Sequence, residues 1–149
     1  MQLPNLTSKD LAHWMLDQIL DHFTEDPLNR RCKDAGGFFY SPKSLRKAHP
    51  DNIGDSIGMF LDPLVGEKLD KELRDLKGDC SIQSILERGQ ELESFKDIPE
   101  RLWEVDIKIL IAFQKLHDVR LYWEGSNEIS NQGLKFVGKI RKLIEQCYN

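Results

Sequence analysis

The sequence predicts a mainly α-helical domain of five or six helices with one small β-hairpin near residues 31–41, and three observations carry that expectation. Leucine, isoleucine, valine and phenylalanine recur at steps of three and four along most of the chain, the period that lines side chains along one face of an α-helix. Capping residues and prolines stand at the ends of these stripes. A length of 149 residues suits one domain able to bury roughly two-thirds of its unfolded surface, so residues 1–149 are read as a single compact unit.

The first stripe is Leu11, Met15, Ile19 and Phe23, widened by Ala12, Leu16 and Leu20. Thr7-Ser8-Lys9-Asp10 offers it a capping hydroxyl and an acid in the first turn. Thr24-Glu25-Asp26-Pro27 stops it, because proline disfavours helix in the residue before it and donates no hydrogen bond to the preceding turn. Regularity then lapses. Gly36-Gly37 leads into Phe38-Phe39-Tyr40, and Ser41-Pro42 closes the segment, a pattern that suits a hairpin; residues 42–54 read as loop with one helical turn. Asp55 can cap a short helix through Phe60, which Leu61-Asp62-Pro63 ends. The next helix carries Val65, Leu69, Leu73 and Leu76, with Gly78 expected in the left-handed position past its end. Asp79 or Ser81 starts a shorter helix with Ile82, Ile85 and Leu86, ended by Gly89, and Leu92 and Phe95 belong to one further turn. Pro99 suits the first residue of a long helix that runs to about His117 with Leu102, Val105, Ile109, Phe113 and Leu116 inward. The last helix starts near Ser130 or Asn131 and aligns Leu134, Val137, Ile140, Ile144 and Cys147.

Composition excludes several classes of protein. Hydrophobic residues at 40% and charged residues at 31% are ordinary for a globular chain, and no apolar run approaches the roughly 18 residues of a membrane span. The longest, residues 107–113, is broken by Lys108. Met1-Gln2-Leu3-Pro4-Asn5-Leu6 lacks the basic and apolar regions of a signal peptide, so a cytoplasmic protein is expected. Cys32, Cys80 and Cys147 are too few and too far apart for a disulfide framework or a metal knuckle, and read as free thiols. The net charge of −4 is unevenly spread: residues 1–26 carry −4, 27–50 carry +5, 51–106 carry −8 and 107–149 carry +3. An acidic chain is a poor general binder of nucleic acid, although its basic stretches can meet an acidic partner or its own acidic middle.

Few motifs carry chemistry. His117-Asp118 stands at a helix C-terminus, where a histidine can serve the last carbonyls and the negative end of the helix dipole. The same pair, with Asp55 as a further carboxylate, is the candidate acid–base set if the protein is catalytic. His13, His22, His49 and His117 are scattered with no metal-ligand spacing, so no metal and no cofactor are expected. Cys32 beside Arg30, Arg31 and Lys33 has positive neighbours that favour a thiolate, against the simpler role of a small buried hydrophobe. His49-Pro50-Asp51 resembles the loop tripeptide of J-domain cochaperones, but Pro42 leaves no room for the long basic helix that such a domain places before it, and a turn is the expectation. Tyr40, His49, Asp51 and Trp123 are the candidate binding residues, being aromatic or polar groups at element ends.

Two blocks carry a broader resemblance. Residues 54–62, Gly-Asp-Ser-Ile-Gly-Met-Phe-Leu-Asp, and residues 110–118, Leu-Ile-Ala-Phe-Gln-Lys-Leu-His-Asp followed by Trp123, resemble a group of small uncharacterised bacterial and phage proteins. In that group an Ile-Gly-x-hydrophobic block follows an aromatic hairpin and a later helix ends in a Leu-Gln-x-hydrophobic-His-Asp block. Ser56 stands where the group's pattern has cysteine. The resemblance implies a shared corner holding Asp55, Asp62, His117, Asp118 and Trp123, and no named activity. The leading expectation is a non-enzymatic protein acting through contacts with a protein partner. A small hydrolase-like enzyme using His117 with a nearby carboxylate is the alternative, and an accessory protein of a mobile element that inhibits a host factor is the third.

Overall fold

The computed structural model describes residues 1–25, 54–123 and 128–149, and among them the chain is mainly helical with no strand. The expected hairpin at 31–41, and with it Cys32, Tyr40, His49 and Asp51, lies outside the described residues. Five α-helices follow in order: α1 Ser8–Glu25, α2 Pro63–Asp75, α3 Ile82–Arg88, α4 Ile107–Asp118 and α5 Asn131–Cys147. Short 3-10 turns at Gly58–Phe60, Gly89–Glu91, Glu93–Asp97, Glu100–Glu104 and Arg120–Trp123 supply the connections.

Helix α1 keeps its boundaries and its face. Leu11, Ala12, Met15, Leu16, Ile19 and Phe23 are all fully buried, and Thr7 Oγ1 accepts from Asp10 N at 3.2 Å. This helix packs on α4 and α5, which also pack on each other, so the three enclose the main core around Phe113, Ile109, Ile140 and Ile144. A second group of elements closes the far side of α4: α3 lies against it, and α2 packs on the Glu93–Asp97 turn, where Glu72 Oε1 accepts from Ser94 N at 2.9 Å.

Four details depart from the sequence expectation. The predicted helix from Pro99 to His117 is two pieces, because Asp106 takes an extended backbone and its side chain accepts from Lys108 N at 2.8 Å, capping α4 afresh. The apolar register survives the break, since a 3-10 turn and an α-helix both return Leu102, Val105 and Ile109 to the same side, and all three are buried. The left-handed residue after α2 is Lys77 at φ 59°, one position before the glycine expected there. Gly78 N donates to Leu73 O at 2.8 Å and Lys77 N to Arg74 O at 2.9 Å, the two bonds of a Schellman end with Gly78 as its second outer residue. On α5 the buried side is set by Gly133, Ile140 and Ile144, and Leu134 is 53% exposed. A Cβ on Gly133 would lie 2.5 Å from Ile129 Cγ1 and 2.7 Å from the Tyr122 carbonyl oxygen, so the start of α5 is pressed onto the 120–123 turn through its glycine and Leu134 is rotated out. Leu86, expected inward on α3, is exposed, and Ser84 is buried instead.

Candidate functional site

The two sequence blocks meet in the interior. Asp55 opens the 55–60 turn, and its Oδ1 accepts from Ile57 N at 2.9 Å and from Gly58 N at 2.8 Å. Its Oδ2 accepts from Gln114 Nε2 at 3.1 Å. The same amide turns its Oε1 to Ile82 N, at 2.8 Å, the first N–H of α3. Gln114 therefore ties three elements together: α4 carries it, the 55–60 turn receives its N–H, and α3 begins on its carbonyl oxygen. Beside it Ser56 Oγ donates to Phe113 O at 2.7 Å, a buried bond that ties the 55–60 turn to α4.

Electrostatics in this corner are dominated by burial. Asp55 is completely shielded from solvent, and burial raises its pKa above the ordinary carboxylate value. The neighbouring His117 and the N–H bonds from Gly58 and Ile57 act in the opposite direction, while Asp118 adds to the rise. The three hydrogen-bond donors aimed at Asp55 match the ionised carboxylate, which only accepts.

His117 is likewise fully buried, three residues beyond Gln114 on α4. Its Nδ1 lies 2.7 Å from Asp118 Oδ1, and because an ionised carboxylate can only accept, Nδ1 carries the proton in that contact. The ring stands edge-on to Phe23 of α1, with centroids 5.0 Å apart. The sequence expectation gave His117 to the final carbonyls of the helix. Trp123 takes that task instead: its Nε1 donates to Leu116 O at 2.8 Å, and its ring, 5% exposed, leans on Phe23 at 6.2 Å. The 120–123 turn makes this possible, and Trp123, one of the expected binding residues, lies buried there.

Asp55, His117, Asp118 and Trp123 are thus brought to one corner. Asp62 is not: it is exposed at the start of α2, where its Oδ1 accepts from Leu64 N at 2.9 Å. An Asp–His–Asp set holds the groups that acid–base chemistry requires, but two of its three members are closed to solvent. No group of three or more potential metal ligands occurs among the described residues, and no described helix is long and apolar enough to cross a membrane. Burial pushes the Cys80 thiol up to about 12, the setting of an inert sulfur rather than a nucleophile.

No family model, curated protein or solved structure matches this chain.

Sequence reasoning missed two features. One is Gln114, whose signal in the sequence is an amide directly after Phe113 in a stretch otherwise apolar on that side. The other is a polar clasp between α1 and α5. Arg141 Nη1 donates to His13 Nδ1 at 2.9 Å, its Nη2 donates to Asp17 Oδ1, and Glu145 receives Lys9 Nζ at 2.6 Å and His13 Nε2 at 3.1 Å. A guanidinium cannot accept a hydrogen bond, so the His13 proton sits on Nε2 and goes to Glu145. Lys9 and His13 hold the Glu145 carboxyl below its ordinary pKa. The signal was a pair of i,i+4 spacings, 13/17 and 141/145, on helices that face each other.

Proposed function

We propose that the protein acts by binding another protein, and that the buried Asp55–Gln114 pair, with His117 beside it, is the scaffold that holds its helices in register. One observation supports this reading above others: Asp55 and His117, the residues on which an acid–base role would rest, are both fully buried with hydrogen bonds directed at the chain's own groups. A group that works on substrate needs contact with it. We place the protein in the cytoplasm, in keeping with unbridged Cys80 and Cys147.

The test is reconstitution. The full chain used as bait in its native host should capture one protein, identified by mass spectrometry, that forms a stoichiometric complex when both are purified and mixed in a calorimeter. His117→Gln should leave that complex intact wherever the variant is folded. Hydrolytic turnover on an ester and phosphoester panel, abolished in a folded His117→Gln protein, would replace this reading with the enzymatic one.

A further inference from the structure

The outward side of α5 has a composition that nothing among the described residues explains. Of the five charged residues on this helix, Arg141 and Glu145 point to α1 and are both spent in the clasp described above. The other three are Lys135, Lys139 and Lys142, all exposed, and none forms an ion pair among the described residues. In the middle of the same side stands Gly138, exposed, with nothing within 4 Å of the position that a Cβ would occupy. Glycine inside a helix is destabilising relative to almost any other residue. Gly133, five residues earlier, has a packing reason of its own; Gly138 has none among the described residues. At the helical period Leu134, Gly138 and Lys142 fall in one row, with Lys135 beside them and Lys139 at its margin, and Leu134 is the exposed leucine that the core leaves out.

We propose that this row is the docking surface for an acidic segment of a partner protein, an inference that rests on the reading of this chain as a protein-binding one. Gly138 lets the partner's backbone approach α5 closely, since no side chain stands in the way. Leu134 meets an apolar side chain at one end of the contact, and Lys135, Lys139 and Lys142 face carboxylates along it. Charge complementarity selects the partner: a basic row on a chain of net charge −4 draws a local acidic group. A nucleic acid fits less well. The net charge opposes a polyanion at long range, no arginine stands in the row, and the nearest aromatic, Phe136, is already engaged by a stack on Tyr122 and by Lys115 Nζ at 5.3 Å, which makes it a poor platform for a base. A lipid surface would require an apolar helix side, and here one leucine is all that α5 shows.

The test uses the full chain and a displayed library of random 16-residue peptides. Selected peptides should be rich in Asp and Glu with interspersed Leu, Ile or Phe, and should bind more weakly as salt rises. Gly138→Leu should raise the melting temperature, because it replaces a helix-interior glycine in open space, and yet weaken peptide binding at least tenfold. Lys135→Glu/Lys139→Glu should do the same to binding with little change in melting. This pairing separates a docking role from a structural one, since damage to the fold would lower both. Failure to select any peptide, selection of peptides without acids, or peptides indifferent to both variants would overturn the proposal. Peptides that bind elsewhere would do so while leaving the protein-binding reading in place. Tighter binding to a 20-base-pair DNA duplex or to phosphatidylserine vesicles than to the peptides, lost in the same variants, would assign the row to another class of ligand. Self-association of the chain at micromolar concentration that the lysine variants abolish would assign it to a second copy and also defeat it.

Discussion

Replacing Gln114 by glutamate probes the interior network at its centre, because the two residues differ only in the atom that faces Asp55. The Oε1 acceptor for Ile82 N is retained, but the N–H that meets Asp55 Oδ2 at 3.1 Å becomes an oxygen. Two ionised carboxylates at that distance would repel by on the order of 5 kcal/mol at an effective dielectric constant of about 20, so the folded pair holds one shared proton instead. In the unfolded chain the new glutamate releases its proton near its ordinary pKa of about 4.3. The folded pKa is therefore raised, which fixes the sign: stability relative to the parent is fully present below about pH 4.3 and falls as the pH rises toward the folded pKa, by about 1.4 kcal/mol per unit. At pH 7 the variant should be about 3–4 kcal/mol less stable than the parent, and near pH 4 almost equal to it, since a protonated carboxyl donates to Asp55 much as the amide does. Urea denaturation at four pH values between 4 and 7.5 measures this directly. A stability difference independent of pH, or no difference at all, would show that residue 114 does not face Asp55 in a dry interior.

Other substitutions test separate parts of the fold. Phe113→Ala empties a fully buried aromatic site and should cost about 3–5 kcal/mol, enough to threaten folding; a variant that melts with the parent would mean that the α4 face is misassigned. Gly133→Ala pushes a methyl group to 2.5 Å from Ile129 Cγ1 and 2.7 Å from the Tyr122 carbonyl and should cost about 1–3 kcal/mol, whereas Gly138→Ala, five residues on, should gain up to about 1 kcal/mol. Equal effects in thermal melts would contradict the contrast drawn between these two glycines. Lys77→Gly should stabilise by about 0.5–1 kcal/mol, as it removes the left-handed penalty at φ 59° and offsets part of it with glycine's chain entropy; a lowered urea midpoint would argue against a left-handed residue there.

Much of the helical framework is legible in the sequence because helix ends and apolar period are local signals. Thr7, Asp62, Ser81 and Ser130 stand where α-helices begin, and α1, α2 and α3 follow within a residue or two of expectation. The break before α4 was hidden for a physical reason: Asp106 interrupts the helix without disturbing the apolar spacing on either side, so periodicity alone runs through it. The turn of α5 that expels Leu134 was hidden because its cause is tertiary, namely the fit of Gly133 against Ile129 and the Tyr122 carbonyl. Of the five residues expected to share a corner, Asp55, His117, Asp118 and Trp123 lie together while Asp62 stands apart at the start of α2. The burial of the corner was not expected. Whether a polar side chain faces solvent or the interior depends on elements distant in sequence, here Phe23 of α1 over His117 and Gln114 beneath Asp55.

The accessibility of His117 tests the scaffold reading most directly. Diethyl pyrocarbonate acylates solvent-exposed imidazoles, and peptide mass spectrometry after brief treatment gives a rate for each histidine of the folded chain and of the same chain in urea. Full burial of the His117 ring predicts acylation at least tenfold slower in the folded protein than in urea. Equal rates in the two states would open the corner to solvent and to substrate, and would contradict the claim that Asp55, Gln114 and His117 serve the fold alone.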